Sequence, residues 1–164
     1  MSILLLVRFL HIASAIWFIG GVVARQIVRA SAKRTDNVQR FAFMSEAAGR
    51  IESTMVIPGN FAVILFGIIY GLMIGAPILG FLQGASRNWL LVSNVLLFLG
   101  FFNIPLVFIP KGRLFELALK DALAKGQMTP ELHAQMDDRT VSIVHFIELA
   151  ALGVITVLMV FRPF

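Results

Sequence analysis

Ile3-Leu4-Leu5-Leu6-Val7-Arg8-Phe9-Leu10-His11-Ile12-Ala13-Ser14-Ala15-Ile16-Trp17-Phe18-Ile19-Gly20-Gly21-Val22-Val23-Ala24 decides the fold class. At a helical rise of about 1.5 Å per residue, roughly 20 apolar residues cross a hydrocarbon core of about 30 Å. The run has that length, and only Arg8, His11 and Ser14 interrupt its apolar character. Arg8 lies near the start, where a long side chain can snorkel to the surface. An ionisable group inside a membrane-length helix is costly, which makes His11 a candidate functional residue. Ala13-Ser14-Ala15 fits a small-x-small cleavage pattern. However, the apolar run before it is short and hydrophobicity continues to Ala24, so a retained span is expected.

Three further segments have the same length and character: Met55–Ile74, Trp89–Ile109 and Val141–Phe161. With 59% hydrophobic and 14% charged residues, the chain lies far from soluble composition. The expected fold is all-α: one domain over residues 1–164, a four-helix integral membrane bundle with helical extensions on the cytoplasmic side. There are no cysteines, which excludes disulfides, iron–sulfur clusters and thiolate zinc sites. The net charge of +5 sits at the ends of apolar runs, a pattern of membrane orientation rather than nucleic-acid binding. Of 14 Lys and Arg, all but Arg8, Arg87 and Arg162 fall within Arg25–Arg50 and Lys111–Arg139. The positive-inside rule then predicts cytoplasmic long connections and both termini outside.

The connections read as helical. Asn37 is the expected N-cap of a helix through Phe41, Met44, Ala48, Ile51 and Met55, with Glu46 and Arg50 paired at (i, i+4). Thr129-Pro130 starts another helix, after one that stops at Gly126. Pro58-Gly59 is expected to kink or loosen the start of the second span. Gly67-x-x-x-Gly71-x-x-x-Gly75 makes a smooth groove that seats either a neighbouring helix of the same chain or a second copy, as a homodimer face. Gly20-Gly21 and Gly153 offer small surfaces to meet it.

Counting depth along each span gives two polar layers. His11 lies about 12 Å inside the outer boundary, with Tyr70 and Asn94 in the same half. His145 lies about 6 Å inside the cytoplasmic boundary, with Glu148 one turn deeper and Asn60 and Asn103 at comparable depth. The depths differ by about 12 Å, which argues against one haem shared by His11 and His145. His145-x-x-Glu148 offers two metal donors where sites need three or four, so no metal centre is expected. Proton transfer through His145, Glu148 and the asparagines is the remaining chemistry of the inner layer. For His11 two accounts stand. No carboxylate of another span reaches its depth, and Ala13, Ser14 and Ala15 leave room for a flat cofactor such as b-type haem. Alternatively, His11 hydrogen-bonds Asn94, Tyr70 or a free carbonyl, with no ligand.

Leu10-His11-Ile12-x-Ser14-Ala15-Ile16-Trp17-Phe18-Ile19-Gly20-Gly21 resembles the first helix of copper-resistance D-type membrane proteins and J-type protoporphyrinogen oxidases. Over nearly its full length the chain is most similar to a smaller group, the predicted integral membrane family called domain of unknown function 2269. That similarity includes Pro58-Gly59, Pro130-Glu131-Leu132 and the closing Leu158-Met159-Val160-Phe161-Arg162-Pro163. The resemblance to the oxidases implies a haem ligand at His11. Two function classes follow: a non-enzymatic membrane component, working with a partner subunit or binding a cofactor, and a haem-dependent membrane oxidoreductase. Nucleotide-binding loops, nucleophile elbows and metalloprotease motifs are absent from the sequence.

Overall fold

The computed structural model describes residues 2–163 and contains no strand among them. Four long helical rods run back and forth, each long and apolar enough to cross a membrane. The first is a single helix, α1 (Ile3–Ala32). The second joins α2 (Val38–Ile51) to α3 (Ile57–Met73) through one widened π-turn, Glu52–Val56. After a short 3₁₀ turn at Gly80–Gln83, the third rod joins α4 (Trp89–Asn103) to α5 (Ile109–Lys125) through a second π-turn, Ile104–Phe108. The fourth is α6 (Pro130–Met136) followed by α7 (Arg139–Phe161).

Helix ends follow local chemistry. The Asn37 side chain accepts from Arg40 N–H at 2.8 Å, and the Thr129 hydroxyl accepts from Leu132 N–H at 3.3 Å, satisfying donors that a first turn leaves free. Gly126, in the left-handed region at φ 68°, closes α5. Both π-turns are followed by the same dipeptide, Ile57-Pro58 and Ile109-Pro110. Proline has no N–H and its ring crowds the carbonyl four residues back, so a regular turn cannot close there. The widened turn takes up the mismatch. At the first of them the carbonyl that Pro58 leaves without its helical donor, that of Thr54, accepts from Trp17 Nε1 at 3.3 Å.

Helix α1 lies closest to the second rod. A Cβ added at Gly59 would meet Phe18 Cα at 3.0 Å, and one at Gly21 would meet Met55 Cβ at 2.7 Å. The backbones therefore approach too closely for any side chain, and packing in lipid depends on such dispersion contacts. All four rods contribute to a core around Phe18, Val22 and Val56, with Val63, Leu97 and Leu152 packed against it. A second core, Ala32, Val38, Phe41, Ala122 and Leu132, ties α1, α2, α5 and α6 together at the basic end. Apolar side chains such as Phe9, Phe61, Phe98 and Phe146 remain exposed along the rods, as lipid-facing residues do.

The glycine stripe divides by position. Gly67 seats the imidazole of His11, Gly71 meets Ile78 of the following loop, and Gly75, at φ 63°, turns the chain out of α3. Gly20 and Gly153 have nothing within 4 Å of an added Cβ.

Candidate functional site

Helix α1 does not end at Ala24 but continues for two turns, which carries Arg25 into the interior with 3% of its surface exposed. A buried guanidinium must be paired, and its five donors in a rigid fork suit more than one carboxylate. One terminal nitrogen donates to Glu52, the first residue of the first π-turn. The other donates to Glu148 of α7. That same nitrogen lies 3.4 Å from Nδ1 of His145, and His145 Nδ1 lies 3.3 Å from Glu148 Oε2. Phe108, the last residue of the second π-turn, stacks on the imidazole with centroids 4.8 Å apart and planes at 26°. Each rod thus supplies part of one cluster: Arg25, Glu52, Phe108, and the pair His145 and Glu148.

Arginine only donates and carboxylate only accepts, so Nδ1 of His145 cannot satisfy both neighbours in one protonation state. Unprotonated, it accepts from Arg25; protonated, it donates to Glu148. Its Nε2 is buried and has no partner among the described residues, as are Arg25 Nε and Asn60 Oδ1. Asn60 lines a small cavity of about 60 Å³ together with Glu52 and Glu148, room enough for ordered water. Asn103, half-buried at the end of α4, lines neither this cavity nor the larger one and makes no hydrogen bond to the cluster.

The larger cavity, about 340 Å³, extends from the cluster towards the basic end. Arg25, Arg29, Lys33, Glu52, Lys111 and His145 supply its polar wall. Lys33 pairs with Asp137 at 3.3 Å and Lys111 with Asp138 at 2.6 Å, whereas Arg29 forms no ion pair among the described residues. Asp138 also caps α7, accepting from Val141 N–H at 3.0 Å. The hydrogen bonds from Lys111 and from that N–H hold its carboxyl below the usual carboxylate range.

In the other layer, His11 Nδ1 is 3.1 Å from the carbonyl oxygen of Val63. A carbonyl can only accept, so Nδ1 carries a proton and donates it to Val63. The contact depends on Gly67, since a Cβ there would lie 2.9 Å from the imidazole Cε1. Asn94 donates to the carbonyl of Ile78 at 3.2 Å and so fastens the loop after α3. Tyr70 is half-buried on α3 and hydrogen-bonds neither His11 nor Asn94.

The inner pair His145 and Glu148 was visible as two polar residues one turn apart. Arg25 and Glu52 do not stand out in the sequence, because each looks like an ordinary charge flanking an apolar run. The available signal was Pro58, which disturbs the turn that carries Glu52. No curated protein and no solved structure matches the chain. A family model described as "Predicted integral membrane protein (DUF2269)" matches residues 5–163, and the chain belongs to that family.

Proposed function

We propose that the protein is a non-enzymatic component of a bacterial cytoplasmic membrane, its basic end in the cytoplasm, whose working centre is a protonatable latch joining the four rods. The observation that carries this reading is the position of His145 Nδ1, within reach of both the donor Arg25 and the acceptor Glu148. The groups facing the imidazole are Arg25 and Arg29 from α1, Glu52 from the first π-turn and Glu148 from its own helix. A proton arriving on His145 draws Glu148 into a bond with the imidazole and sets a second cation beside Arg25. Both effects weaken the hold of α1 on α7, while the bond from Arg25 to Glu52 persists. The chain has no cysteine, so spin labels at introduced cysteines are unambiguous. Labels at Ile27→Cys and Phe146→Cys, both exposed, should show an α1–α7 distance that lengthens between pH 8 and pH 5. The change should vanish in His145→Gln. A distance independent of pH in the otherwise native protein refutes the latch.

The bond from His11 to Val63 favours a second reading, a b-type haem bound through His11 Nε2. Metal-ligating histidines commonly donate their other ring N–H to a backbone carbonyl, which fixes orientation and raises basicity. Of the three histidines only His11 would hold such a group in this layer, since His133 and His145 both belong to the basic half. Haem would supply electron-transfer or oxygen chemistry, and the oxidoreductase alternative depends on it. Protein from haem-replete cells should show a Soret band that His11→Ala removes while the fold persists. A colourless preparation leaves His11 as a packing residue that satisfies its proton on Val63.

A further inference from the structure

We propose that the cavity of about 340 Å³ at the basic end binds a single-headed anionic amphiphile, a carboxylate or phosphate on one acyl chain, with its head at Arg29. Its volume falls within the range of sites that enclose small molecules. The wall is of two kinds. Phe41, Ile109, Phe115 and Met136 supply apolar surface, and Arg25, Arg29, Lys33 and Lys111 supply cationic groups.

The cations differ in what they have left to give. Arg25 holds two carboxylates, and the lysines are balanced by Asp137 and Asp138, which do not line the cavity. Arg29 lines it without a paired acid among the described residues, one helical turn from Arg25 on the same face of α1. A half-buried guanidinium beside apolar surface is a site for an oxyanion, which it can grip with two parallel bonds. Of the lining carboxylates only Glu52 opposes that charge, and it is already engaged by Arg25. A further sign of a built site is His145, which is 7% exposed, lines the cavity and keeps Nε2 without a partner among the described residues. Head and chain preferences thus come from different residues of one cavity, and this selects a molecule with both parts over a free anion. The inference does not require the latch to switch: Arg29 faces the imidazole but makes none of the bonds that the switch exchanges, and the apolar residues take no part in it.

The test uses the full chain purified in a neutral maltoside detergent and displacement of a fluorescent fatty acid. Dodecanoate and dodecyl phosphate should displace it saturably, whereas inorganic phosphate and dodecyltrimethylammonium should not. Arg29→Gln should weaken dodecanoate binding by about tenfold or more, the usual size of a lost charge-assisted hydrogen bond. Met136→Glu should do the same from the apolar surface with Arg29 intact. Arg8→Gln, exposed near the other end of α1, should bind as the parent does. Retained affinity in both Arg29→Gln and Met136→Glu overturns the assignment. So does inorganic phosphate binding as tightly as dodecyl phosphate, which makes the site one for a free oxyanion. Equal binding of the cationic amphiphile overturns it as well, showing only apolar partition.

Discussion

Replacing Arg25 by Met removes the charge but keeps most of the volume, so the loss it causes is electrostatic. In the parent protein one guanidinium, its side chain 4% exposed, is shared by Glu52 and Glu148, whose side chains are 30% and 19% exposed. Without it, two carboxylates lose their shared partner and are left with Arg29 and the His145 imidazole nearby. Deleting one member of a buried pair costs about 3–5 kcal/mol. Partial exposure of both acids screens some of that, which places Arg25→Met near the lower end, about 3 kcal/mol. That is roughly a hundredfold in the ratio of folded to unfolded protein. The triple variant Arg25→Met, Glu52→Gln, Glu148→Gln removes the stranded charges, and a buried ion pair replaced as a whole is often neutral. It should recover at least half of the loss. Reversible unfolding in mixed micelles, followed by circular dichroism, gives both numbers. The reasoning fails if Arg25→Met lies within about 0.5 kcal/mol of the parent, the range of ordinary surface changes. It fails equally if the triple variant is no more stable than the single one.

Gly59→Leu should destabilise by about 1–3 kcal/mol, because its Cβ alone would press on the backbone of Phe18 at 3.0 Å, while Gly20→Leu should be tolerated; thermal unfolding in detergent compares them. Asp138 has a carboxyl lowered from 3.8, so its stabilising bonds are fully present above that value and are lost as pH falls through the lower folded value. Amide protection at the start of α7, corrected for the intrinsic pH dependence of exchange, should therefore fall in acid, and Lys111→Met should move the onset to higher pH. Reporters fused within Arg25–Arg50 or Lys111–Arg139 should read cytoplasm and one after Phe164 the outside; a cytoplasmic C-terminus contradicts the proposed orientation.

Apolar run length makes the all-α fold legible, since lipid leaves the backbone no alternative to helices that satisfy themselves. The caps at Asn37 and Thr129 are legible for a similar reason: the side-chain chemistry that stops or starts a helix is local. The buried cluster is only half legible. His145 and Glu148 lie within an apolar run, where a polar residue stands out. Arg25 and Glu52 lie at the edges of runs, where charges are ordinary, and their burial depends on how the rods meet. Nothing in a window of sequence reveals that α1 stays helical past Arg25 against α2 and α7. The acceptor for His11 is similarly hidden, because any helix offers carbonyls and only the absent Cβ of Gly67 exposes the one on Val63.

The two π-turns make the site depend on residue count as well as residue identity. Each is a regular helix carrying one residue too many, and in an α-helix one residue is worth about 100° of rotation. Deleting a single residue from Glu52–Val56 would let α2 and α3 wind as one regular helix. With α3 fixed by Gly59 against Phe18, α2 would swing through more than a quarter turn. Val38, Phe41 and Ala48 would leave their shared face, and Glu52 would be turned away from Arg25. A substitution at any of these positions changes one contact, whereas a one-codon deletion in this stretch re-indexes the whole basic half of the second rod. In this chain the first π-turn should therefore tolerate conservative changes of side chain outside Glu52 far better than a change of length.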